Sequence, residues 1–157
     1  MLAEIGGLLS AEVNRYGADR IAGIPFAGLP LAVATSLAGQ IPLLYARPEA
    51  KTYGTARRIE GLHAPGERVI VIDDIVTDGT SKLEAIAPLE AAGLVVKDIL
   101  VLVDREQGGA ERLAARGYTV HALLKITECF EELEAVGLVD ATVAEQARAF
   151  IRTTHLS

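Results

Sequence analysis

Two adjacent carboxylates, Asp73 and Asp74, stand between a β-branched run and a turn of small and hydroxyl residues, Thr77-Asp78-Gly79-Thr80-Ser81. Neighbouring acids repel each other, a cost offset by a bound cation or by hydroxyl donors. The pair therefore suits ribose hydroxyls or a metal-bound water, and does not suit a bare phosphate. The turn suits the phosphate instead. A hydroxyl-rich turn that opens a helix leaves unpaired backbone N–H groups at the positive end of the helix dipole. The plain structural alternative is a pair of strand-end acids capping that turn.

Two further stretches carry chemistry. Arg47, Lys51, Arg57 and Arg58 place four of the fifteen basic residues in one short loop of a chain whose net charge is −6. In an acidic protein such a cluster points to a specific anionic ligand. Arg47 suits a planar phosphate fork and Lys51 a mobile point charge; the alternative is a solvated basic loop. Arg105 lies in Asp104-Arg105-Glu106-Gln107-Gly108-Gly109, where paired glycines let the backbone approach a planar ligand closely. Its alternative is a surface arginine paired with Asp104 or Glu106.

Other chemistries find no support. There is no Gly-x-x-x-x-Gly-Lys-Ser/Thr phosphate loop, and no Gly-x-Gly-x-x-Gly follows a strand. His63, His121 and His155 lack metal or triad spacing. Ser10, Ser36 and Ser81 lack a nucleophile-elbow context. The lone Cys129 excludes an internal disulfide and fits a reducing compartment. The acidic balance argues against general nucleic-acid binding, which wants a basic face. No apolar run approaches a membrane span of roughly 20 residues, and no cationic segment opens the chain, so the expected location is cytoplasmic.

The elements that must position these residues alternate. Helical spacing of Leu2, Ile5, Leu8, Leu9 and Val13 ends at Gly17, and Asp19 to Ile24 reads as a strand stopped by Pro25. Phe26-Ala27-Gly28-Leu29-Pro30 is a turn into a helix over Leu31 to Ala38, closed by Gly39. Ile41 to Tyr45 reads as a strand. Residues 46–67 are polar, basic and aperiodic, a loop long enough to be functional. Val69 to Ile72 reads as a strand buried on both faces, ended by the two acids, with a helix from Lys82 to Ala92 behind the turn. A strand over Val95 to Val103, a helix over Ala110 to Arg116 and a strand over Tyr118 to Leu124 follow. Thr127 and Asp140 read as N-caps of two closing helices. At 157 residues, half of them apolar and only 4% aromatic, this predicts one α/β domain spanning 1–157. Its sheet is parallel with helices on both faces, and ligands bind beyond the strands' carboxyl ends.

The stretch Ile72-Asp73-Asp74-Ile75-Val76-Thr77-Asp78-Gly79-Thr80-Ser81 resembles the phosphoribosyl-pyrophosphate (PRPP) motif of type I phosphoribosyltransferases. Arg47-Pro48-Glu49-Ala50-Lys51-Thr52-Tyr53-Gly54-Thr55 with Ile59-Glu60-Gly61 looks like the mobile catalytic loop of orotate phosphoribosyltransferases. Val103-Asp104-Arg105-Glu106-Gln107-Gly108-Gly109 looks like their base-recognition stretch. All three keep the family's order and spacing over about Asp19 to Ile151, closest to UMP synthase-type sequences. The resemblance implies the type I phosphoribosyltransferase fold and a magnesium-dependent transfer from PRPP to orotate in UMP biosynthesis. It assigns Lys51 and Arg47 the catalytic roles at pyrophosphate. PRPP would be bound by Arg47, Lys51, Tyr53, Asp73, Asp74, Ile75, Val76, Thr77, Asp78, Gly79, Thr80 and Ser81, and orotate by Thr77 and Arg105. Magnesium would be held through PRPP and water near Asp73 and Asp74, with no direct protein ligand. It also implies a homodimer sharing loop 46–60 across the interface.

The sequence departs from the family pattern at four places. Pro48 replaces a common lysine, Tyr53 a common histidine, Ala27 a lysine of some relatives, and Asp78 a small or hydroxyl residue. An anion at 78 is compatible with a phosphate site when its side chain caps the helix instead. The resemblance implies an N-terminal hood that touches base and PRPP. This sequence either starts short of that hood or belongs to a protein without it, and it does not reach a decarboxylase domain like that of bifunctional relatives. The base pocket is then expected to have one open wall. A phosphoribosyltransferase for another base and a non-catalytic PRPP-binding regulator are the alternatives. A regulator needs the phosphate turn but not the cationic loop.

Overall fold

The computed structural model describes residues 1–47 and 58–154. Six strands form one sheet in the order β3-β2-β1-β4-β5-β6. The strands are β1 (Arg20–Gly23), β2 (Leu43–Ala46), β3 (Ile59–Glu60), β4 (Arg68–Val76), β5 (Val95–Asp104) and β6 (Thr119–Lys125). Between and after them run α1 (Leu2–Tyr16), α2 (Gly28–Gly39), α3 (Thr80–Ala91), α4 (Gly109–Ala114), α5 (Ile126–Ala135) and α6 (Ala141–Thr154). Five strands are parallel; β3 is antiparallel to β2. That edge departs from the expected all-parallel sheet. Ile59, buried against Leu44, brings the chain back along β2, and the Arg47 amide donates to the Arg58 carbonyl at 2.7 Å.

The β-branched run of β4 is buried on both faces, as its composition predicts. Val69 and Val71 join Ile86 and Leu89 of α3 and Leu113 of α4 in one core. Ile70 and Ile72 join Leu9 and Val13 of α1 and Leu31 and Ala32 of α2 in the other. The period-2 pleat thus sorts one strand's residues into two cores, which places helices on both faces. The acids do not end β4. The strand runs on to Val76 because β5 continues beside it, pairing Asp73 with Val101, Ile75 with Val103 and Val76 with Asp104.

Helix boundaries follow their caps. α1 stops at Gly17, which is left-handed (φ 66°). α2 begins three residues before the expected Leu31, and Gln40 rather than Gly39 takes the left-handed position after it. Asp140 caps α6 through the Val143 amide at 3.0 Å. Thr127 caps nothing: α5 begins at Ile126, and the Thr127 hydroxyl bonds Glu106 at 2.6 Å. His121 is structural, stacked on Tyr16 at 3.8 Å and bonded to Asp98 at 2.9 Å. Among the described residues no helix is long and apolar enough to cross a membrane.

A fork of charge closes the amino-terminal edge of the sheet. Arg20, opening β1, donates to both Glu67 oxygens at 2.5 and 2.6 Å, and the Ala64 amide adds a third bond at 2.8 Å. The Arg20 fork first, and the Ala64 amide second, hold the Glu67 carboxyl at about 2 against an ordinary 4.5. A depressed folded-state value gives stability that is complete above the ordinary carboxyl range and is lost as pH falls through about 2. Urea midpoints should therefore drop on acidification from 4.5 towards 2, and Glu67→Gln should lower the neutral-pH midpoint and flatten that drop. Parallel curves for the two proteins would show that the fork does not carry the acid sensitivity.

Candidate functional site

The strand order turns back between β1 and β4: from β1 the chain goes to β2 on one side and later returns to β4 on the other. Ligands of open α/β sheets lie at such a switch point, beyond the strands' carboxyl ends. A hollow of about 250 Å³ occupies this position. The loop after β1 lines it with Ile24 to Ala27, the end of β4 with Asp73 to Ile75, the turn with Thr77 and Asp78, and α3 with Ser81 and Lys82.

The turn is built to open a helix. Gly79 takes φ 78°, a left-handed conformation that glycine adopts without steric cost. Asp78 folds its carboxylate back onto the helix start, accepting from the Thr80 amide at 3.1 Å and the Thr80 hydroxyl at 2.6 Å. Arg112 of α4 donates to the Thr80 hydroxyl at 3.1 Å. These contacts, the Thr80 hydroxyl first, hold the Asp78 carboxyl below its ordinary value. The carboxylate at position 78 is thus turned onto the helix start. The amides of Ser81 and Lys82, in the first turn of α3, have no intrahelical acceptor and can serve an anion.

The two acids of β4 are not equivalent. Asp73 is buried at 6% exposure and its Oδ2 lies 2.6 Å from Lys82 Nζ, while its Oδ1 accepts the Asp74 amide at 2.9 Å. Burial pushes the Asp73 carboxyl up, and the Lys82 ammonium works against that push. Asp74 is half-buried and lines the same hollow. Gly28, the first residue of α2, abuts this strand end: a Cβ there would lie 2.5 Å from the Ile72 carbonyl oxygen and 2.9 Å from Asp73 Oδ1. Phe26 sits at the rim with 84% of its surface exposed, so it is no core residue.

The other expected residues stand apart from this hollow or beyond the described residues. Arg47, at the end of β2, pairs with Glu60 and does not line it. Pro48, Lys51, Tyr53, Arg57 and His155 lie outside the described residues. Arg105 follows β5 directly and its amide donates to the Val76 carbonyl at 3.0 Å, so its backbone adjoins the Thr77 to Ser81 turn. Its side chain is not part of the hollow's lining. Downstream, Glu106 (φ 54°) accepts from the Thr127 amide and hydroxyl, and Gln107 Nε2 donates to Thr154 of α6 at 2.5 Å. The stretch that follows Arg105 is thus clamped from behind by α5 and α6, which the sequence pattern did not disclose. The partnership of Lys82 was also missed. Lys82 did carry a signal: a cation in a helix's first turn opposes the dipole, so it needs a carboxylate nearby.

Gly28→Ala should cost on the order of 1–3 kcal/mol, since the added methyl must displace the end of β4. Gly7→Ala in α1, where a Cβ meets nothing within 4 Å, should be neutral or stabilise by up to about 1 kcal/mol. Denaturant unfolding measures both; equal midpoints would show that the close approach at Gly28 is unimportant.

Comparison with known proteins bears on this arrangement. No protein-family model matches the chain. It is 39% identical over 151 residues to an orotate phosphoribosyltransferase of Cenarchaeum symbiosum (strain A), covering 94% of this chain and 76% of that one. The solved UMP synthase of Leishmania donovani matches with a TM-score of 0.87 at 37% identity, over 97% of this chain and 33% of that protein's length. The Mycobacterium tuberculosis H37Rv orotate phosphoribosyltransferase solved with PRPP matches with a TM-score of 0.71 at 29% identity, over 81% of this chain and 74% of that one.

Proposed function

Because the chain belongs to the orotate phosphoribosyltransferase family and has its type I phosphoribosyltransferase fold, we propose that it transfers the phosphoribosyl group of PRPP to orotate. The products are orotidine 5-phosphate and pyrophosphate, and the reaction serves pyrimidine synthesis in the cytoplasm. The carrying observation is the hollow at the switch point, where free helix-start amides and a half-buried carboxylate face the same space. That combination matches a sugar with both a phosphate and a diol. The M. tuberculosis relative solved with PRPP supports the same ligand.

In this reading the 5-phosphate lies against Thr77 to Ser81, with Gly79 letting the backbone wrap it and Ile75 and Val76 ending the strand beneath. The ribose hydroxyls face the acids of β4. Lys51 and Arg47, with Tyr53, follow the charge that builds on pyrophosphate as the C1–O bond breaks and the C1–N bond to the base forms. Orotate is already an anion, so little falls to a general base. Preorganised positioning and stabilisation of the leaving group carry the rate. Arg105 and Thr77 hold the base. Loop 46–60 reaches the site of the other subunit in a homodimer. For Arg47 to join in, it must exchange its Glu60 partner for the ligand.

Magnesium fits the acids present only as a shared ion. Among the described residues no group of three or more His, Cys, Asp or Glu could hold a metal. Asp74 would hold the ion through water. When bound, magnesium spreads the negative charge of the departing pyrophosphate.

Loss of orotate absorbance on adding PRPP and magnesium tests the proposal. Tight PRPP binding without turnover would replace it with a PRPP-responsive regulator. Lys51→Ala should lower turnover by about a hundredfold or more while the thermal midpoint holds. Turnover that survives within a few-fold would remove Lys51 from the mechanism.

A further inference from the structure

We infer that Lys82 divides the labour of the two adjacent acids: it fixes Asp73 as a buried positioning group and leaves Asp74 as the carboxylate that meets the ribose diol. This rests on the phosphosugar reading above and refines it, since that reading by itself lets both acids grip the sugar.

The hydrogen-bond inventory is closed around Lys82. Its ammonium has three donors. They go to Asp73 Oδ2 at 2.6 Å, to the Ile75 carbonyl, and to Ser81 Oγ at 3.5 Å. Asp73 spends its other oxygen on the Asp74 amide at 2.9 Å. Lys82 is 4% exposed and Asp73 6%, so neither end of the pair is a surface ion. Asp74 differs in each respect. It is half-buried, and among the described residues its carboxylate makes no hydrogen bond or ion pair.

Packing of α3 on β4 does not by itself call for a lysine here. A lysine in the first turn of α3 opposes the helix dipole, and burying an ammonium is costly unless it is fully paired. An apolar side chain would serve the packing of α3 on β4 more cheaply. The gain falls in the hollow, which Lys82 lines. One of two repelling charges is neutralised, so a phosphate meets a net charge of about −1 from the pair where it would otherwise meet −2. The bond to the Ile75 carbonyl also fixes the strand end from which Asp74 projects.

Steady-state kinetics on the full chain with PRPP, orotate and magnesium test this. Lys82→Met leaves the buried Asp73 without its cation; at a pH high enough for Asp73 to ionise, KM for PRPP should rise about tenfold or more, with KM for orotate unchanged and kcat falling less. Asp73→Asn combined with Lys82→Met removes both charges and should recover most of that rise. Asp74→Asn alone should raise KM for PRPP about tenfold with an unchanged unfolding midpoint. A double variant no better than Lys82→Met would mean that Asp73 grips the sugar itself, and the inference falls. It falls equally if Asp74→Asn is silent. If Lys82→Met does not fold, the double variant is compared with wild type and Asp74→Asn instead: a KM for PRPP near that of wild type supports the inference, and one raised as far as in Asp74→Asn overturns it. A wild-type chain that neither binds nor consumes PRPP would instead refute the proposed function, and this refinement with it.

Discussion

A buried ammonium at the start of α3 holds the site together. Lys82 ties the first turn of that helix to the end of β4 through Asp73 and the Ile75 carbonyl. With both ends of the connecting turn pinned, Thr77, Asp78 and Gly79 have little choice of path. Asp78 then closes the turn from its other side by capping Thr80. The helix-start amides and the half-buried Asp74 are brought to one hollow by this bracing.

The sheet supplies the frame. β4 is paired by β5 from Arg68 to Val76 and by β1 over Val69 to Ile72, and its residues feed two separate cores. A strand so held is a poor place for motion and a good place to mount chemistry. The loop after β1 can approach β4 this closely because residue 28 is glycine. Arg105 enters through its backbone bond to Val76, and α5 and α6 brace the stretch that carries it. The Thr77 to Ser81 turn and the stretch that carries Arg105 therefore share the edge formed by the ends of β4 and β5.

Most of this frame is legible from period and punctuation. The uninterrupted β-branched run at Val69 to Ile72 could only be a strand covered on both faces, and glycines 17, 93 and 117 mark real chain reversals with positive φ. Local signals failed where tertiary pairing overrode them. Asp73 and Asp74 look like strand terminators because Asp disfavours strands, yet β5 carries the ladder on to Val76. The two residues of β3 are too few to show a period. Thr127 looks like a cap, but Glu106 claims its hydroxyl from another part of the chain. For the site, residue type disclosed the acids, the hydroxyl turn and Arg105. The partnership of Lys82 with Asp73, nine residues away, depends on how α3 docks and needed coordinates.

The most direct measurement is a crystal structure of this chain with PRPP and magnesium. The account predicts the 5-phosphate on the amides of Thr77 to Ser81, ribose hydroxyls within hydrogen-bond distance of Asp74, and Lys82 still bonded to Asp73. A phosphate seated elsewhere, or Lys82 released from Asp73 to reach the ligand, would contradict it.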